Sequence, residues 1–189
     1  MFSLSQRFQD ITGLLSSTIM FMSVVISILS AFQLNASGYQ RLPGQIAVEE
    51  TFNKIRYSRD FGGKYSSGKE NVKLRFDLDA DLTSLFNWNT KQVIVYLVGN
   101  YNNSQMNGIN NSESKVVFWD RIIKDRDHAK IHLKNKKSKY SVYDYYPILS
   151  NKTATMKLEY NVQPWVGPLL WGTIDSNDTI IFADSDIHK

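Results

Sequence analysis

The chain has 189 residues, of which 22 are Lys or Arg and 18 are Asp or Glu, giving a formal net charge of +4, and it has no cysteine. Its length suits one compact domain plus an extra segment, and a hydrophobic fraction of 42% is enough for a true core. The lack of cysteine excludes a structural disulfide and a thiolate metal site, and the mild positive charge does not supply the clustered basic face that a nucleic-acid partner requires.

The first predicted element is a membrane anchor. Ile11 to Leu34 is a run of 24 residues without a charge. As a helix it would span about 36 Å, more than the ~30 Å hydrocarbon core of a bilayer. A cleaved signal peptide would have a shorter apolar run, a basic leader and a small-x-small cleavage site. Here Asp10 offsets Arg7, and Leu29-Ser30-Ala31 places Leu where a small residue belongs. The expectation is an uncleaved anchor at 11–34, a cytosolic tail at 1–10, a polar spacer at 35–44 and a lumenal domain at 45–189.

Within the anchor, Thr12, Ser16, Ser23, Ser27 and Ser30 recur at spacings that put them along one helical face. Small hydroxylated residues let helices approach closely in lipid, so Ser16, Ser23, Ser27 and Ser30 are candidates for packing against another membrane helix. The alternative is that each hydroxyl bonds back to its own backbone. Flanking charge gives only a slight lean on orientation. The Asn-x-Ser/Thr triplets at Asn35, Asn102, Asn110, Asn151 and Asn177 favour a lumenal domain. Asn35 lies too near the membrane to be a good acceptor, which leaves Asn151, Asn177, Asn102 and Asn110 as the glycosylation candidates.

Beyond the spacer the pattern is that of strands. Val72, Leu74, Phe76, Leu78, Ala80 and Leu82 alternate with Lys73, Arg75, Asp77, Asp79 and Asp81, the period of a strand with one wet face. A short helical turn is expected at Asp81 to Asn87. Val93 to Val98 is a continuous apolar run that suits a strand buried on both sides. Val116 to Trp119 is a further strand, and Met156, Leu158, Tyr160 and Val162 alternate with Lys157, Glu159 and Asn161. Gln45 to Arg56 and Lys130 to Tyr146 are less regular candidates. Ser58 to Asn71 and Asn102 to Ser114 read as loops. The fold class expected is mainly β: an antiparallel sandwich behind one transmembrane helix.

The chemical inventory is short. His128 and His132 are four apart, but their surroundings read as loop into strand and offer no third ligand; His188 is one residue from the end. Asp77, Asp79 and Asp81 read as a solvated face screened by Lys73 and Arg75, without the glycine and glutamate of a calcium loop. No nucleophile elbow or phosphate loop is present, and no cofactor is implied. Lys134, Lys136, Lys137 and Lys139 read as a solvated hairpin around a turn at Asn135. Pro164 to Trp171, PWVGPLLW, is more unusual. Its large apolar side chains are interrupted by two prolines and a glycine, so they lie on an irregular segment. They either cap the core or form an exposed anchor for a protein or a bilayer interface.

FNWNTKQVIVYLVGNY (Phe86 to Tyr101), VVFWDRII (Val116 to Ile123) and YNVQPWVGPLL (Tyr160 to Leu170) resemble the subunit 3 family of the eukaryotic signal peptidase complex. The resemblance covers nearly the whole chain. It implies the endoplasmic reticulum membrane, a single-pass type II topology and a cytosolic N-terminus. It also implies a complex with a catalytic subunit that holds the serine protease residues and with small accessory membrane subunits. The implied role is non-catalytic support during signal-peptide removal. Trp165, Val166, Leu169, Leu170 and Trp171 are the expected partner contacts, with Trp88 and Trp119 expected in the core. The alternative reading is a membrane-tethered lumenal binding module for glycans or client peptides.

Overall fold

The computed structural model describes residues 3–40, 42–57, 68–103, 112–144 and 149–185. One long helix, α1 (Leu4–Ala36), precedes seven strands: β1 (Gly44–Arg56), β2 (Lys69–Asp81), β3 (Thr90–Asn103), β4 (Ser112–Ile123), β5 (Lys130–Lys137), β6 (Thr153–Pro164) and β7 (Leu170–Ile181). They form two antiparallel sheets, one ordered β1-β2-β5 and one ordered β4-β3-β6-β7. The protein is therefore a mainly β sandwich behind one apolar helix long enough to cross a membrane.

The period-two stretches become the inner faces. Val72, Leu74, Phe76, Leu78 and Ala80 of β2 meet Met156, Leu158, Tyr160 and Val162 of β6 in one buried cluster. Phe76 and Trp119 make an edge-on ring contact across the sheets, with centroids 5.9 Å apart. Burial of each such side chain stabilises the fold by roughly 1.5–3 kcal/mol. The short turn expected after β2 is a 3-10 turn at Thr83–Leu85, and Leu82 and Leu85 are buried beneath it.

Strand direction gives the sandwich two distinct ends. The connections at 37–43, 82–89, 124–129 and 165–169 lie at the helix-proximal end, and the N-terminus of β6 lies at the distal end. Along β3 the two ends are about 40 Å apart at ~3.3 Å per residue.

Several expectations need correction. Residues 69–71, 102–103 and 112–114 of the stretches read as loops belong to β2, β3 and β4. The run Val93 to Val98 is not buried on both sides throughout: Val93, Val95 and Leu97 join the core and Val98 is also buried, but Ile94 and Tyr96 face outward and are half-buried, because among the described residues no further layer packs over them. Asn135 does not turn a hairpin. It sits in a bulge of β5, where the register against β2 breaks between Phe76 and Leu78. Its backbone is left-handed (φ 49°), and its N–H donates to Asp77 Oδ1 at 2.7 Å. Trp119 is buried, but Trp88 is 59% exposed. Asn87 Oδ1 accepts from Asn89 N at 3.0 Å and from Thr90 Oγ1 at 2.8 Å, and this Asx turn throws the intervening Trp88 side chain outward.

Candidate partner interface

The helix does not end in a free tether. Gly38, at φ 71°, follows the last turn of α1. Its N–H donates to Asn35 O at 3.1 Å, and Tyr39 N donates to Leu34 O at 3.3 Å. These are the two bonds of a Schellman cap, with the expected apolar pair between Leu34 and Tyr39, both packed on the core. Asn35 and Ala36 of the sequence-read spacer thus belong to the helix. The Tyr39 carbonyl accepts from the buried Tyr160 hydroxyl. Burial, reinforced by the neighbouring Tyr39, pushes that phenol up to about 12.

One face of the last turns of α1 is docked on the proximal end of the sandwich. Asn87 Nδ2 donates to Ser30 Oγ at 3.1 Å and to Ser30 O at 3.4 Å. Gly167 has a positive φ of 124°, and a Cβ added there would lie 2.5 Å from Ser27 Oγ. The seam between Ser27, Ser30, Ala31 and Leu34 on one side and Asn89, Val166 and Leu170 on the other leaves a void of only about 10 Å³, at most the room for one water molecule. Buried Asn89 organises the loop. Its carbonyl accepts from Trp165 N at 2.8 Å, its Oδ1 from Val166 N at 3.2 Å, and its Nδ2 donates to Val166 O at 2.7 Å.

The serine stripe therefore divides. Thr12 Oγ1 bonds Phe8 O and Gln9 O, Ser16 Oγ bonds Gly13 O, and Ser23 Oγ bonds Met20 O, each at or below 3.0 Å. Ser27 and Ser30 face the chain's own sandwich. Nothing in the local sequence announces this, since Asn87 lies 57 residues from Ser30.

The PWVGPLLW segment divides as well. Val166 and Leu170 line the seam, whereas Trp165, Leu169 and Trp171 are 67%, 51% and 61% exposed. Leu169 and Trp171 join Ile94, Tyr96, Val117 and Tyr140 along a groove of about 440 Å³ on the outer face of the four-stranded sheet. Ile122, 51% exposed, continues the apolar surface on β4. Sequence reading found the segment but missed the rest of this face, because Ile94 and Tyr96 sit inside an unbroken apolar run. Asp120 lies at the rim of the groove and is bonded by Lys139 Nζ at 2.8 Å. Bonds from Lys139 and Tyr140 hold its carboxyl below the ordinary range.

Elsewhere, His132 Nδ1 lies 3.1 Å from Asp79 Oδ2 and His128 lies 3.8 Å from Asp125, both on exposed surface; His188 lies outside the described residues. Among the described residues no three His, Cys, Asp or Glu side chains gather as a metal site. The sequons are spread over the domain. Asn102 is exposed near the distal end of β3, and Asn151 is exposed in the turn before β6 with φ 61°. Asn177 falls on β7, where the pairing with β6 breaks between Thr155 and Lys157. Asn110 lies outside the described residues.

Comparison with known proteins finds matches along nearly the whole chain. The family model described as "Signal peptidase subunit" matches residues 1–185. The chain is 42% identical over 181 residues to signal peptidase complex subunit 3 of Saccharomyces cerevisiae, covering 95% of this chain and 96% of that one. It is 38% identical over 178 residues to the protein of the same name from Yarrowia lipolytica, covering 90% and 91% of the two chains. The Homo sapiens protein of that name is 34% identical over 113 residues, 59% of this chain and 60% of its own. The chain, with its single membrane-length helix capped onto a β sandwich, belongs to the signal peptidase subunit family.

Proposed function

We propose that this protein is a non-catalytic accessory subunit of the endoplasmic reticulum signal peptidase complex. In this reading the N-terminus is cytosolic and the sandwich lumenal. The sandwich supports a separate catalytic subunit that removes signal peptides from nascent secretory and membrane proteins, in company with small accessory membrane subunits. The observation that carries the reading is the uncovered apolar groove along Ile94, Tyr96, Val117, Leu169 and Trp171, in a member of a family named for a multi-subunit complex. Depletion of charge with aromatic enrichment is the composition of an interface core. The groove is carried on a domain whose join to α1 is capped and packed. A partner seated there would be held at a set height above the bilayer, and such preorganisation matters because small misplacement of reacting groups costs rate.

Affinity purification of the full-length tagged chain from mild-detergent membranes, with mass spectrometry, tests the proposal. A serine-type signal peptidase and small membrane subunits recovered in near-equal amounts are expected. A chain recovered alone overturns the proposal, and one recovered with lumenal glycoproteins or peptides replaces it with the binding-module reading.

A further inference from the structure

The seam between α1 and the sandwich fixes where the proximal loops sit relative to a bilayer. The uncharged stretch of α1 begins at Ile11, directly after Asp10. At 1.5 Å per residue, a hydrocarbon core of ~30 Å is crossed in about 20 residues, which brings the far boundary to Ser30 or Ala31. Tilting the helix moves that boundary toward Leu34; sliding it the other way would draw Asp10 into hydrocarbon. Gly167 packs against Ser27, about one turn inside the boundary. The loop that carries Gly167 is therefore at the level of the bilayer interface wherever α1 spans.

The chemistry of the loops suits that level. Trp165 and Trp88 are 67% and 59% exposed. Tryptophan is the residue enriched at membrane interfaces, where an apolar ring and a polar N–H meet both phases. Neither Pro164 to Trp171 nor Phe86 to Lys91 contains an acidic residue. Lys91 Nζ lies 5.2 Å from the Trp165 ring centroid, close enough for its cation to rest on the ring face and reach headgroup phosphate. Backbone polar groups near hydrocarbon must be satisfied internally. Here buried Asn89 accepts from the Trp165 and Val166 N–H groups and donates to the Val166 carbonyl, while Pro164 and Pro168 have no N–H to satisfy.

We infer that Trp88 and Trp165, with Lys91, form a foot that rests in the phospholipid headgroup layer of the leaflet from which α1 emerges. The domain is then held to the membrane at two places, the helix and the foot, which fixes its rotation as well as its height. Leu169 and Trp171 face the groove and are left to a protein partner.

The inference rests on α1 spanning the bilayer, and the test separates the two. The chain has no cysteine, so single cysteines can be placed at will in the full-length protein. Nitroxide labels at Trp88→Cys, Trp165→Cys, Ile19→Cys and Ile181→Cys are compared in phosphatidylcholine nanodiscs, reading accessibility to oxygen and to a water-soluble nickel chelate. Ile19 is on the helix, and Ile181 is exposed at the distal end of β7, about 36 Å from its start. The expected result is nickel accessibility several-fold lower at positions 88 and 165 than at 181, with oxygen accessibility between those at 181 and 19. Nickel accessibility at 88 and 165 equal to that at 181, with position 19 lipid-embedded, overturns the foot. A nickel-accessible label at 19 overturns the spanning premise and the foot with it. A second measurement avoids cysteine at the foot: quenching of tryptophan fluorescence by interfacially brominated lipid should fall in a Trp88→Phe, Trp165→Phe double variant, and unchanged quenching also overturns the inference.

Discussion

Asn87 donates its side-chain amide to both the hydroxyl and the carbonyl of Ser30, and so ties the loop ahead of β3 to the membrane helix. The same side chain closes the Asx turn with Asn89 and Thr90. Asn87→Ala removes both functions from a partly buried site, and a cost of about 1–2 kcal/mol is expected. Chemical unfolding of the full-length protein in detergent, followed by the near-ultraviolet dichroism of buried Trp119, measures it. The seam should also loosen, so proteolysis at 37–43 should accelerate. An unchanged cleavage rate would show that the Asn87–Ser30 bonds do not hold the helix to the domain.

Gly172 faces Tyr160 across the β6–β7 pair. A Cβ at that position would overlap the phenol oxygen and ring carbons of Tyr160. Tyr160 is fully buried and bonded to the Tyr39 carbonyl, so the ring has nowhere to go. Gly172→Ala should cost about 1–3 kcal/mol, as overpacking of a filled core does. Adding Tyr160→Leu should recover part of that loss, whereas Tyr160→Phe should not, because the ring carbons clash as well. Thermal midpoints of the three variants decide the matter.

Much of this fold was legible in the order of residues, and the failures have a common cause. Val72 to Leu82 and Met156 to Val162 announce their buried faces because a strand alternates and one side is wet. The run of Val93 to Val98 carries no such alternation, so its outward-facing, half-buried members, Ile94 and Tyr96, are hidden in the same stretch as its core. Asn135, surrounded by lysines, reads locally as a turn; an acceptor 58 residues away, Asp77 Oδ1, makes it a bulge. Ser27 and Ser30 read as a surface for another helix because hydropathy has no way to separate lipid, partner and the chain's own loops. The family resemblance, by contrast, rested on blocks such as FNWN and QPWVGPLL, and these are the segments that build the seam.

The outer face of the four-stranded sheet gives a sharper test of the partner reading than truncation would. Val117→Asp with Trp171→Asp places two charges in the groove while leaving the inner faces untouched. Both residues are exposed, so folding stability should change by no more than about 0.5 kcal/mol per site. Recovery of the catalytic subunit with the variant should fall at least tenfold, since desolvating an unpaired charge in an interface costs several kcal/mol. Normal recovery from a folded variant would remove this face from the interface.

Among the sequons, Asn151 has the most favourable presentation. It is exposed, in a left-handed turn (φ 61°), a conformation that asparagine tolerates better than most residues. Changing Asn151 itself would disturb the turn, so the cleaner variant is Thr153→Ala, which keeps the turn residue and removes the acceptor triplet. The expected outcome in a glycosylating host is the loss of one endoglycosidase-sensitive band shift. Retention of every shift would show that Asn151 is not used.

Glu70 supplies the pH dependence. Its buried carboxylate accepts from Leu149 N at 2.5 Å, Ser150 N at 2.6 Å, Ser150 Oγ at 2.6 Å and Asn53 Nδ2 at 3.1 Å. Burial pushes its carboxyl up, but these four bonds, led by Ser150 Oγ and Leu149 N–H, together outweigh burial and hold it below its ordinary 4.5. In the unfolded chain the carboxyl returns to that ordinary value and binds a proton more readily than in the native state. Glu70 therefore adds stability that is complete above about pH 4.5 and is lost as pH falls through the lower native value. Glu70→Gln removes the charge that strengthens these bonds and puts an amide donor opposite Ser150 Oγ, leaving one neutral oxygen for the Leu149 and Ser150 N–H groups. It should lower stability at pH 7 by about 1–3 kcal/mol and flatten the acid limb of the stability profile between pH 5 and 3 relative to the parent chain. A parallel acid limb in the variant would assign that limb to other carboxylates, and an unchanged midpoint at neutral pH would mean that the β1–β2 edge does not depend on Glu70 to order Leu149 and Ser150.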